Sequence, residues 1–315
     1  MAIRVFGAGL SGLIAGAMLR DECLGVHELG SKLPNNHSAV LRFRSRVVAD
    51  VLNLPFKEVE VMKAIAPWRN PVADALSYSM KTNGGLSLRS IASAEGRMET
   101  RWIAPPDLIA RLGRIVGPIT FNSNISDWVE HKDKDLFGYS RGRTFGLIST
   151  IPMPTLMKIL NWPEEHPDFN YAPGQSIRFR IENCDAYCSL YVPDPKFAFS
   201  RISITGDELI AECHGPSLEE GQVEETSRDA MAIMGVNHSA IASAPEVRNQ
   251  RYSKIKPIDE DTRRRFITWA SDVHGIYSLG RFATWRPRLL LDDVVNDVRV
   301  IGRMIASGTS YEQRK

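Results

Sequence analysis

The chain has 315 residues, 43% hydrophobic and 24% charged, with a formal net charge of +2. This length exceeds a single small module and predicts one large or two interlocked globular domains able to bury a core. The near balance of charge does not announce a nucleic-acid binder.

The first element is a short apolar strand, "IRVF". It runs into Gly-x-Gly-x-x-Gly at Gly7, Gly9 and Gly12. A helix is predicted from Leu10, with Leu13, Ile14, Ala17 and Met18 on its buried face. Gly7 permits the tight turn, Gly9 keeps the backbone bare for a pyrophosphate, and Gly12 lets helix and strand approach closely. The free N–H groups and positive end of the helix point at the phosphates, beside Leu10 and Ser11. "LGVHEL" is a second strand ending on Glu28, 21 residues after Gly7. A carboxylate there accepts from both ribose hydroxyls and repels a 2′-phosphate, so a dinucleotide without that phosphate is expected.

Regular strand–helix alternation does not continue. A polar loop containing His37 leads into an arginine-rich amphipathic segment with Arg42, Arg44 and Arg46. "FKEVEVMKAI" alternates like a strand, and "NPVADALSYSMKTN" and "APPDLIARLGRIVG" carry helical patterns. "ITFNSNIS" and "FGLISTIPMP" are predicted strands, with a surface hairpin between them. From about Pro152 come short alternating strands: "SIRFRI", "AYCSLYVP", "FSRISITGD" and "ELIAECHG". A hairpin turn is predicted at Thr205-Gly206-Asp207. Two helices follow, "SLEEGQVEETSRDAMAIMGV" and "DEDTRRRFITWASDVHG", then a strand "IYSLGRF" and a closing helix "LLLDDVVNDVRVIGRMI".

The expected fold is α/β. A split Rossmann-like nucleotide-binding domain (1–50, 100–152 and 255–315) encloses a mainly antiparallel α+β substrate or cap domain (51–99 and 153–254). That layout suits a flavin, which needs a long groove and a second domain over its ring, better than a nicotinamide. Cys23, Cys184, Cys188 and Cys213 lack zinc-site spacing, so no metal is expected and the thiols are expected to be reduced. The apolar run at Leu10–Leu19 is too short for a bilayer, and no signal-peptide pattern precedes it. A cytoplasmic protein with no membrane partner is expected.

"GAGLSGLIAG…HELG", "LISTIPMP" and "YSLGRFATWRPRLLLDDVVNDV", in that order, resemble the superfamily of FAD-binding amine oxidases, protoporphyrinogen oxidases and UDP-galactopyranose mutases. The resemblance implies FAD as cofactor. It implies that the strand end around Thr150 passes the cofactor, and that Gly280 and Arg281 approach the flavin and pyrophosphate. It implies that the helix start at Asp292, Asp293 and Val294 closes over the ring and ribityl chain, and that Ile125 lies on a strand touching adenine. The mutases' histidine-rich signature is absent, and Gly30 stands alone after Glu28. "HSAVLRFRS", "ITGDELIAE" and "HGIYSLGRFATWR" also resemble compact bacteriophage flavoproteins, some of which act in thymidine hypermodification.

The chemistry implied is oxidation of a C–N bond in a small amine or amino-acid-like group. In its narrowest form that group is carried on a hypermodified thymidine in DNA, and a flavin-dependent lyase trims a glycyl side chain to an amine. Hydride leaves the carbon next to the nitrogen, and the imine hydrolyses. The alternatives are a flavin-dependent sugar-nucleotide isomerase and a flavin-binding protein without catalysis. Arg42 and Arg281 are candidates for phosphate recognition, and Arg201 for a bidentate grip on a substrate carboxylate. His37 is a candidate base or ligand. Tyr252 and Trp285 are candidate aromatic pocket walls. Arg286 and Arg288, and the consecutive Arg263, Arg264 and Arg265, are expected on a solvated face unless they meet phosphates.

Overall fold

The structure is a computed structural model that describes residues 2–33, 40–65, 71–83, 96–130 and 145–309. β1 (Ala2–Phe6), α1 (Leu10–Met18) and β2 (Cys23–His27) form the opening unit. Then come β3 (Arg42–Phe43), α2 (Val47–Leu52), β4 (Lys57–Ile65), α3 (Pro71–Asn83), β5 (Arg97–Ile103) and α4 (Leu108–Val116). β6 (Ile119–Thr120), α5 (Ile125–Glu130), β7 (Phe145–Ser149) and α6 (Met153–Ile159) follow. The long antiparallel stretch holds β8 (Tyr171–Arg180), β9 (Ala186–Tyr191), β10 (Phe199–Gly206), β11 (Glu208–His214), α7 (Glu220–Met234) and β12 (Glu246–Ile255). The chain closes with α8 (Glu260–His274), β13 (Ile276–Ser278) and α9 (Leu291–Ser307).

These strands form two sheets. The first is parallel, in the order β13-β7-β1-β2-β6. The second has eight strands in the order β12-β8-β11-β10-β9-β4-β5-β3. It is antiparallel except where β4 runs parallel to β9. The small-residue turn at Gly206, with φ +67°, makes the tight β10–β11 hairpin that the sequence predicts.

Each layer is built by ordinary burial. On the parallel sheet, Ile3 and Val5 of β1 pack with Leu13, Ile14 and Ala17 of α1 and with Val294, Val298 and Ile301 of α9. The first and last helices therefore share one core. A second apolar cluster, around Phe6, Met153, Phe266 and Trp285, lies on the other side of β1. A third joins the antiparallel sheet to α7 through Phe179, Phe199, Ile202, Leu209 and Ala230.

Sheet membership moves the predicted boundaries. β3 and β5 belong to the second sheet, so Arg42–Phe43 and Arg97–Ile103 extend the substrate-side layer into 1–50 and 100–152. The segment around Ile125 is helical, not a strand. Its side chain is buried beside Phe6 and Trp128, because an apolar residue at the helix start is held by packing rather than by a ladder. The rest of the predicted hairpin, 131–144, lies outside the described residues.

Arg42 fastens the short strand β3 to the sheet interior. Its guanidinium donates to the hydroxyls of Ser189 and Thr205 and to the carbonyls of Cys188 and Ile204. Arg42→Met leaves those acceptors without a donor and is expected to cost about 2–4 kcal/mol, read from urea unfolding. Arg42→Lys recovers only part of this, since a point charge cannot reproduce the fork.

Candidate active site

The two layers meet around a cavity of about 610 Å³. Gly9, Leu10, Ser11 and Thr150 line one side, and Leu279, Gly280, Arg281 and Val294 join them. The opposite wall is the antiparallel sheet with α3: Tyr78, Tyr191, Arg201, Glu212, His214, Tyr252 and Lys254.

The glycine side is held by close approach. A Cβ on Gly12 would overlap the Gly7 carbonyl oxygen, and one on Gly7 would overlap the Thr150 hydroxyl. Gly7 has φ +96°, which disfavours any side chain. A Cβ on Gly280 would come within 2.7 Å of the Ser11 hydroxyl. Gly9 is different. It caps α1 in extended backbone, and a Cβ there would meet nothing within 4 Å. Thr150 donates its hydroxyl to the Phe6 carbonyl. Glu28 accepts from the amides of Ala8 (2.7 Å) and Gly30 (2.8 Å), so its carboxylate is fixed beside the loop.

The sheet wall is polar. Arg201 on β10 and Glu212 on β11 are cross-strand partners and form a forked ion pair. Burial alone would raise Glu212, but the adjoining guanidinium outweighs it and holds the carboxyl below its ordinary range. His214 bonds through Nδ1 to the Ser253 hydroxyl at 2.8 Å. Burial, aided by Lys254, pushes its pKa down to about 3, so the ring is neutral. Burial and then Arg201, with a smaller push from Arg281, lower Lys254 to about 8. Tyr78 and Tyr191 stand edge to face, 5.4 Å between ring centres.

Several sequence-predicted residues sit elsewhere or are occupied. Arg42 lines the cavity, but its donors are turned into the sheet. Arg201 lines the cavity with the Nε and Nη2 side of its fork already given to Glu212. Trp285 does not line this cavity: it is 1% exposed, packs on Phe169 and Tyr252, donates to the Lys256 carbonyl at 2.8 Å, and borders a different cavity. Asp292 accepts from Ser45 and the Arg44 amide, tying α9 to the loop after β3. Asp293 caps the Leu290 amide and faces a second cavity with Arg286 and Arg288. Arg263 and Arg264 pair with Glu260, and Arg265 with Glu164. His37 lies outside the described residues. Tyr252 and Arg281 line the cavity.

Glu212, His214 and Lys254 did not emerge from the sequence. The available signal was the alternation in "AECH", which places Glu212 and His214 on one strand face.

A parallel sheet with a glycine loop, covered by a large antiparallel sheet, is a fold this chain shares with several solved enzymes, a flavin-dependent halogenase among them. Reduced UDP-galactopyranose mutase superimposes with a TM-score of 0.68 at 14% identity, covering 96% of this chain and 95% of that one. A glycine oxidase from Bacillus cereus gives 0.59 at 10% identity, over 98% and 95% of the two chains. A flavin-dependent halogenase gives 0.54 at 12%, over 98% of this chain and 59% of its own. At these identities the likeness is one of fold. No family model and no curated protein matches the sequence. No helix among the described residues is long and apolar enough to cross a membrane.

Two buried histidines set a pH dependence. Burial, with Arg4 adding, depresses His27 to about 4, and His214 lies near 3. Their ordinary value is 6.5, so below it the unfolded chain binds protons that the folded chain does not. Stability is therefore expected to fall as pH drops from about 6.5 toward about 4, by up to ~1.4 kcal/mol per pH unit for each group. His27→Gln and His214→Gln should each flatten the slope of urea midpoint against pH over this window.

Proposed function

We propose that the chain is an FAD-dependent oxidoreductase acting on the C–N bond of a small amine or amino-acid-like group. The observation that carries this reading is the single cavity joining the glycine loop to a polar antiparallel wall. A cofactor seated on the loop would reach a substrate held on that wall.

The residues present fit the cofactor. Gly9 leaves open space where any side chain would intrude. The first amides of α1 are free for a pyrophosphate. Arg281 has its Nε buried with no hydrogen-bond partner among the described residues, and it lines the same cavity. Gly7, Gly9, Leu10, Ser11 and Gly12 would hold the pyrophosphate and Glu28 the ribose. Thr150, Gly280, Arg281 and Val294 would border the flavin end. The flavin supplies the hydride acceptor when bound.

The chain's own residues do the rest. Tyr252 offers an aromatic face beside Phe282. The Arg201–Glu212 pair gives the wall a rigid polar surface. His214 contributes a neutral ring. The partly closed wall limits water around the reacting carbon. The narrower form, with the amine carried on a modified thymidine of DNA, rests on sequence resemblance, and glycyl-modified DNA is a donor to test. Isomerisation of a sugar nucleotide is the second reading, favoured by the likeness to the mutase.

The purified protein should be yellow, absorbing near ~450 nm. Gly9→Val should fold with a thermal midpoint close to that of flavin-stripped wild-type protein yet lose flavin on gel filtration, because its side chain enters space that only a ligand fills. Anaerobic addition of amines, amino acids or glycyl-modified DNA should bleach the native flavin. Bleaching by dithionite alone, with turnover of UDP-sugars in the reduced state, would instead establish the isomerase.

A further inference from the structure

Two lysines of the antiparallel layer are treated in opposite ways. Lys81 on α3 is mostly buried, and its Nζ donates to the carbonyls of Val192, Asp194 and Phe199 at 3.0, 2.7 and 2.7 Å. The fold satisfies that ammonium completely. Lys254 on β12 is also mostly buried, lines the cavity, and has no hydrogen bond or ion pair among the described residues.

The surrounding charges compensate it only in part: Glu212 attracts it, while Arg201 and Arg281 repel it. Four cationic side chains line the cavity, Arg42, Arg201, Lys254 and Arg281, against two carboxylates, Glu212 and Asp292. Glu212 is committed to Arg201. Asp292 is committed to the Ser45 hydroxyl and the backbone at Arg44 and Ser45. His214 is neutral. Lys254 therefore presents positive charge to the cavity with no hydrogen-bond acceptor among the described residues, and Glu212 offsets that charge only in part because it is bonded to Arg201.

We propose that Lys254 is the receiving group of an anion subsite on the sheet wall, which binds the acid group of the substrate, a carboxylate or a phosphate. Arg201 backs the subsite: Glu212 takes its Nε and Nη2, and no partner holds its Nη1 among the described residues. Tyr78 and Tyr191 border it on the side of α3 and β9. The subsite narrows the substrate from any amine to one that carries an acid group. It rests on the flavoenzyme reading only for which molecule bears that acid.

The test is calorimetric titration of the purified protein, at constant ionic strength in potassium chloride, with glycolate in one arm and inorganic phosphate in the other. Saturable binding of either is expected, and the arm that saturates identifies the acid. Lys254→Met should weaken that binding roughly tenfold or more, and Lys254→Arg should retain it within a few-fold. The ligand-free Lys254→Met protein should melt at the same temperature or higher, since an uncompensated charge is removed. A yellow protein that binds neither anion overturns the subsite, as does equal affinity in Lys254→Met or a sharply lowered melting temperature. A colourless protein that still binds an anion through Lys254 upholds the subsite and overturns the flavin reading.

Discussion

The architecture depends on how closely three backbone segments pass one another at the glycine loop. Gly12 sits against the Gly7 carbonyl, Gly7 against Thr150 after β7, and Gly280 after β13 against Ser11 at the start of α1. Segments from the beginning, middle and end of the chain thus converge on one turn. The parallel sheet explains why they can. β7 lies beside β1 and β13 beside β7, so the C-terminal ends of all three strands open on the same edge. Ligands in open parallel sheets bind at that edge. A Cβ at Gly12 would collide with backbone and force the turn open, whereas one at Gly7 or Gly280 would displace the Thr150 or Ser11 side chain.

Onto this edge the second sheet brings charge, and the protein distributes it unevenly. Arg42 and Lys81 are half-buried cations whose donors are met by sheet carbonyls and hydroxyls. They act as fasteners that hold β3 and α3 to the antiparallel layer. Arg201 is neutralised by Glu212 across the β10–β11 ladder. The buried Nε of Arg281 lacks such a partner among the described residues, and Lys254 makes no hydrogen bond among them. Unsatisfied polar groups are concentrated where function requires them and are costly elsewhere. The contrast between Lys81 and Lys254 separates a structural cation from one facing a ligand more sharply than burial or residue type could.

Much of this fold was legible because its signals are local. The glycine spacing, the acid at Glu28 and the alternation of "FKEVEVMKAI" report on backbone geometry within a few residues, and β1, α1, β2 and β4 follow them. The assignment of β3 and β5 to the second sheet was not legible, since pairing partners are chosen by tertiary contact. Ile125 shows the limit of carrying a position over by resemblance: the strand ends at Thr120, and the chain turns into α5 at Ile125 and buries the side chain. The site was harder still. An arginine in a sequence shows its charge but not its partners, so Arg42 and Arg201 look equally available until Ser189, Thr205 and Glu212 are seen to occupy them. Trp285 looks like a wall of the substrate pocket, yet it does not line this cavity, and its indole N–H is held on the Lys256 carbonyl.

The same fold is shared with a mutase and an oxidase, so the parallel half cannot decide the reaction. That half offers backbone amides and glycines, which suit a bound phosphate whatever the substrate. Selection must come from the wall that faces it. Here the wall is built from side chains at alternate positions of neighbouring strands, Arg201 opposite Glu212 and His214 two residues further along, with Lys254 on the sheet's edge strand. An edge strand tolerates exchange of a side chain without disturbing two neighbouring ladders. Changing position 254 would therefore alter what the cavity binds while leaving the glycine loop and its three crossings intact, so substrate choice can shift independently of cofactor binding.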